Sequence, residues 1–217
     1  MNLPSRVQAL RSVAALGACA LTMLSVYGCF NPVADEQIEA LGGELANVPP
    51  SEYHRPGQPC VVCHGVYGGE SPSMVLGGTV FADQRSFLPV EGAEVVIYDS
   101  VGDVYTMTSN CIGNFWLERG DKIPQFPLAA EIRCPTYDAN GNPLEGVKVR
   151  SMNSWISRDG SCATCHSLRG TQVDSTGWLF CNDPDERSTN VYPPVAEECP
   201  GEPPKVAGED NTGGATP

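Results

Sequence analysis

Between residues 75 and 152 apolar and polar side chains alternate in short runs broken by Gly, Pro, Asp or Asn. Alternation of period two puts one set of side chains on one face of a strand. The runs Val75–Phe81, Val90–Tyr98, Asp103–Thr108, Asn114–Glu118, Leu128–Arg133 and Val147–Met152 therefore predict strands. Their inward sets are Ala93, Val95 and Ile97; Phe115 and Leu117; Leu128, Ala130 and Ile132; and Val147 and Val149, with Lys148 and Arg150 outward. Strands at this spacing predict a mainly β protein, a small β-sandwich of six or seven strands with little helix. If 113–118 and 127–133 pair as antiparallel neighbours about the loop 119–126, Cys111 and Cys134 fall opposite each other beyond the strand ends.

The flanks are of a different kind. Residues 1–28 read as an export leader: Arg6 and Arg11 are followed by an apolar run, Ser12 to Val26, too short for a comfortable membrane span. Val26-Tyr27-Gly28-Cys29 resembles the lipobox of bacterial lipoproteins, which implies a lipid on Cys29 and attachment to a membrane. The alternative is an ordinary cleaved leader with an incidental cysteine. Residues 29–52 read as a flexible tether with one short helical piece around Asp35 to Leu41, and 193–217 as a disordered, acidic, Pro/Gly-rich tail. Losing Arg6 and Arg11 with the leader takes the formal net charge from −13 to −15. Such acidity argues against nucleic acid and anionic lipid headgroups as partners.

Two segments, 53–74 and 153–192, carry the conspicuous chemistry: Cys60-Val-Val-Cys63-His64 and Cys162-Ala-Thr-Cys165-His166. In such a pentapeptide two thiols can form thioethers to a haem and the histidine can ligate its iron. The pair, behind an export leader, resembles the dihaem c-type cytochromes. That resemblance implies two covalently attached haem c groups, on Cys60, Cys63 and His64 and on Cys162, Cys165 and His166.

The chain has three histidines, so His54 is the one left to complete an iron. His54-Arg55-Pro56-Gly57-Gln58-Pro59-Cys60 is similar to the upstream-histidine arrangement of small multihaem cytochrome modules, which implies His54 as a sixth ligand. For the second iron Met152 is the first candidate, with Met74 or an open position as alternatives; Met107 lies in a strand pattern and reads as packing. Trp116, Trp155, Trp178 and Phe180 read equally as haem walls or ordinary core. Arg150, Arg158 and Arg169 flank the second motif and read as solvated surface or as propionate partners.

Of ten cysteines, Cys111, Cys134, Cys181 and Cys199 remain once the leader, the lipid and the two motifs are served. An even remainder in an oxidising compartment predicts two disulfides, with three connectivities open. Strand pairing favours Cys111 with Cys134, and proximity in sequence Cys181 with Cys199. The stretch 75–152 also resembles the carboxypeptidase regulatory-like (transthyretin-like) domain, through Gly78-Thr79-Val80-Phe81, Pro89 to Val95, Thr108-Ser109-Asn110 and Gly113-Asn114-Phe115. That resemblance implies a non-catalytic scaffold.

The expectation is an electron carrier rather than an enzyme: a lipid-anchored cytochrome relaying single electrons in a bacterial envelope, on the outer membrane. Its partners would be redox proteins, a larger multihaem complex or further copies of itself. An enzyme or gas sensor with one open iron is the first alternative, tested by a spectral response to cyanide or carbon monoxide. A non-haem structural or adhesive lipoprotein, with or without zinc, is the second, tested by a colourless preparation.

Overall fold

Strand β1 (Met74–Asp83) is buried along its whole length, and the other elements are arranged about it. The computed structural model describes residues 31–42, 51–84, 86–167, 175–183, 185–194 and 199. The leader, Cys29, Arg169 and most of the tail lie outside these residues. The elements in order are α1 (Pro32–Ala40), α2 (Cys60–His64), β1, β2 (Glu94–Tyr98), β3 (Val104–Thr108), β4 (Asn114–Glu118), β5 (Ala129–Tyr137), β6 (Pro143–Ser151) and β7 (Leu179–Asn182). Among the described residues no helix is long and apolar enough to cross a membrane.

The protein is mainly β, with seven strands in two sheets ordered β4-β1-β7 and β3-β2-β5-β6. β1 runs antiparallel to β4 and parallel to β7. Leu76 and Val80 of β1 and Phe115 of β4 meet Val95 and Ile97 of β2 and Ile132 of β5 in one core cluster. Met107 belongs to that core, as its strand pattern predicts. The opposite face of β1 is covered too, by α2 and the loop before it. A strand covered on both faces reads as a continuous apolar or small run, which is what Met-Val-Leu-Gly-Gly-Thr-Val-Phe-Ala is.

Four expectations are corrected here. β4 and β5 are not neighbours: β4 pairs with β1, and β5 lies between β2 and β6. The disulfides accordingly join Cys111 to Cys199 and Cys134 to Cys181, not Cys111 to Cys134 or Cys181 to Cys199. On β6 the predicted faces are reversed, with Val147 and Val149 more than half exposed. β6 is an edge strand, and ion pairing decides its orientation. Lys148 and Arg150 reach Asp183 at 3.4 and 2.9 Å, Lys148 also pairs with Glu186, and the Arg150 guanidinium lies 4.3 Å over the Phe180 ring. Arg150 is thus occupied by Asp183, as neither solvated surface nor a propionate partner. β7, from within the second motif's segment, adds a third strand to the β1 sheet.

Candidate functional site

The two Cys-x-x-Cys-His motifs are seated side by side on consecutive glycines of β1. A Cβ at Gly77 would lie 3.2 Å from Cys60 Cβ, and one at Gly78 would lie 2.8 Å from Cys162 Cβ and 3.0 Å from the Phe115 ring. Successive side-chain directions on a strand alternate, so the two cysteines approach β1 from different sides. A glycine pair inside a strand is the usual mark of such close approach.

The first motif forms α2, whose five residues end where Gly65 turns extended. The chain then folds back beneath the helix, and Gly68 is needed there because a Cβ would lie 2.1 Å from the Cys63 carbonyl oxygen. This return brings the Pro72 carbonyl 3.0 Å from Nδ1 of His64, which is buried. Nδ1 of His54 likewise meets the Ser51 carbonyl. Carbonyls only accept, so in both rings Nδ1 is the donor, and in a neutral imidazole that leaves Nε2 as the acceptor. The ring centroids are 5.7 Å apart at an interplanar angle of 39°.

His54 is held in place from β1 and β4. Buried Thr79 accepts a hydrogen bond from the Gly57 N–H at 2.7 Å and donates to Asn114 Oδ1 at 2.7 Å. The Asn114 amide donates to the His54 carbonyl at 3.0 Å and the Glu52 carbonyl at 3.3 Å. Trp178 packs on Phe81 with centroids 4.9 Å apart and closes over Gly57. Both imidazoles face a cavity of about 550 Å³ whose lining includes Cys60, Cys63, Met74, Trp116, Ile38 of α1 and Leu41 just after it. Burial pushes the Cys60 thiol up to about 11, with the Cys63 charge adding to the effect, so it is a neutral wall rather than a reactive thiolate.

The second motif is arranged differently. Cys162–Thr164 is a single 3-10 turn, threaded along β1 through a bridge from Ser161 to Gly77. Cys162 packs against the sandwich core while Cys165 is exposed. Burial, and then the nearby Cys60, push the Cys162 thiol up to about 12. His166 Nδ1 donates to the Gly177 carbonyl at 3.1 Å, and burial lowers its proton affinity. Met152 does not line the cavity; it follows β6 half-buried, its N–H bonded to the Ala130 carbonyl at 2.9 Å. The cavity methionine is Met74. Trp116 is a cavity wall, whereas Trp155 is two-thirds exposed and Arg158 is exposed.

The expectation of two attached haem c groups, and with it the dihaem cytochrome class, is corrected by these findings. Among the described residues no group of three or more His, Cys, Asp or Glu side chains is placed to hold a metal ion. The two disulfides engage Cys111, Cys134, Cys181 and Cys199, and within the second motif Cys162 packs against the core while Cys165 is exposed. Two pentapeptides of the same pattern thus occupy unlike surroundings. No family model matches the chain, and neither the curated proteins nor the solved structures offer a match.

Thr79 and Asn114 hold the site, although the segments that carry them, Gly78-Thr79-Val80-Phe81 and Gly113-Asn114-Phe115, resemble a scaffold and announce no site role. Thr79 and Asn114 stand inside a strand pattern, where a small polar side chain reads as solvent-facing. The Gly77-Gly78 pair was the available signal of close approach.

Proposed function

We propose that this protein is an exported carrier, lipid-anchored through Cys29 in a bacterial envelope, that relays single electrons between redox proteins. The relay would be one metal centre ligated by His54 and His64. The observation that carries this reading is the pair of buried or half-buried imidazoles facing one apolar cavity, each with Nδ1 fixed by a backbone carbonyl. Fixing Nδ1 sets the tautomer and ring orientation, the usual support of a ligating histidine. No third His, Cys, Asp or Glu joins them among the described residues, which thus supply two donors to the proposed centre. Apolar walls limit solvent access and thereby tune a centre's potential.

The test is metal analysis and potentiometric titration of the protein purified from the envelope of a cell that exports it. One metal equivalent per chain and a single reversible one-electron step are expected, both lost in His64→Ala with the β fold retained. A folded wild-type protein that is metal-free and redox-silent would overturn the reading.

A further inference from the structure

We infer that Arg55 is a positioning residue that latches helix α1 onto the wall of the His54–His64 cavity and so controls access to the site. Its guanidinium donates to the carbonyl of Leu41 at 3.3 Å and that of Gly42 at 2.6 Å, the two residues that follow α1. The same group donates to Gln58 Oε1 at 2.7 Å, which braces it from the loop that carries His54. Leu41 and Ile38 line the cavity, so the carbonyls that Arg55 grips belong to the end of the cavity-lining helix.

The backbone supports the assignment independently. Arg55 has φ +50°, the left-handed region, and it precedes Pro56, a position that favours extended backbone. A long side chain is kept in that conformation only when its surroundings over-determine it. Here the turn does two things at once: it aims His54 toward His64 and carries the guanidinium to the end of α1. The five donors of a guanidinium in a fixed fork suit a grip on two successive carbonyls and an amide oxygen, which a lysine ammonium would reproduce poorly.

The cap has a direction. α1 begins three residues after Cys29 in sequence, so the wall that Arg55 fastens is the element next along the chain from the proposed lipid attachment. This inference rests on the cavity being the functional site, but the latch can be tested apart from the electron-carrier reading. Arg55→Gly removes the guanidinium while relaxing the left-handed φ, so the fold is expected to survive. Hydrogen exchange of the α1 amides should quicken by about tenfold or more while the β1 and β5 amides keep their protection. Arg55→Lys, which retains the charge, should behave as Arg55→Gly does.

Unchanged α1 exchange in both variants would overturn the latch, whatever metal the protein holds. Quickened exchange in a protein without metal would support the latch and overturn the carrier reading. Where metal is bound, its release to an external chelator should quicken in parallel with α1 opening, and equal release rates in wild type and Arg55→Gly would overturn the control of access.

Discussion

Cys134 and Cys181, both fully buried, join β5 of the four-stranded sheet to β7 of the three-stranded sheet across the middle of the sandwich. Their Cα atoms are 5.8 Å apart and 47 residues apart in sequence. β7 has four residues and a single pairing partner, so this bond fastens the second motif's segment to the core.

Removing that bond should therefore loosen one sheet from the other. Cys134→Ala with Cys181→Ala is expected to lower stability by about 2–4 kcal/mol, the usual range for a disulfide closing a loop of this size. Denaturant unfolding under oxidising conditions checks it, and a variant as stable as wild type would show that β7 is held by its strand pairing.

The glycines of β1 predict a contrast. Gly78→Ala would press a methyl against Cys162 Cβ and the Phe115 ring, at 2.8 and 3.0 Å, and should cost about 1–3 kcal/mol by overpacking. Gly120→Ala meets nothing within 4 Å and should be neutral within about 0.5 kcal/mol. Thermal unfolding of the two variants measures the difference directly.

Thr79→Val keeps the shape of a buried side chain but removes the hydroxyl between Gly57 and Asn114. Leaving those groups without that partner should cost about 1–3 kcal/mol. Because Asn114 also holds the His54 carbonyl, retention of a metal at the proposed His54–His64 centre should fall more steeply than stability does. Parallel stability and metal-loading measurements separate the two effects, and equal losses would sink the positioning role.

Acid should weaken the contact between β6 and the segment 183–186. Hydrogen bonding from Arg150 holds the Asp183 carboxyl below its ordinary value of 3.8, and Lys148 does the same for Glu186 below 4.5. A depressed carboxylate pKa contributes stability that is complete above the ordinary value and lost as pH falls through the lowered one. Both pairs are partly exposed and screened by solvent, so the loss should be small, about 0.3–1 kcal/mol for each. Asp183→Asn should flatten the acid limb of the stability profile, and an unchanged limb would remove these pairs from the account.

Much of the strand content was legible because each half-buried strand writes its alternation into the chain. Ala93, Val95 and Ile97 are all nearly inaccessible, as their shared parity predicts. The same rule failed on β6, where Val147 and Val149 lie outward. An edge strand has a partner on one side only, and here the charges of Lys148 and Arg150 turned toward Asp183 decide its orientation. Strand order was not legible either, since alternation marks a face but carries nothing about the neighbour, and the disulfide pairing failed with it.

By itself the sequence determined a mainly β chain and which four cysteines are joined in disulfides. These are local matters, set by side-chain period and residue identity. Only the tertiary structure decided that the two motifs of one pattern are not equivalent. β1 presents Gly77 to Cys60 beside an open cavity and Gly78 to Cys162 against the packed core. Which side of a strand a motif meets depends on sheet order and on contacts made by residues far apart in the chain, and no short stretch of sequence contains that information.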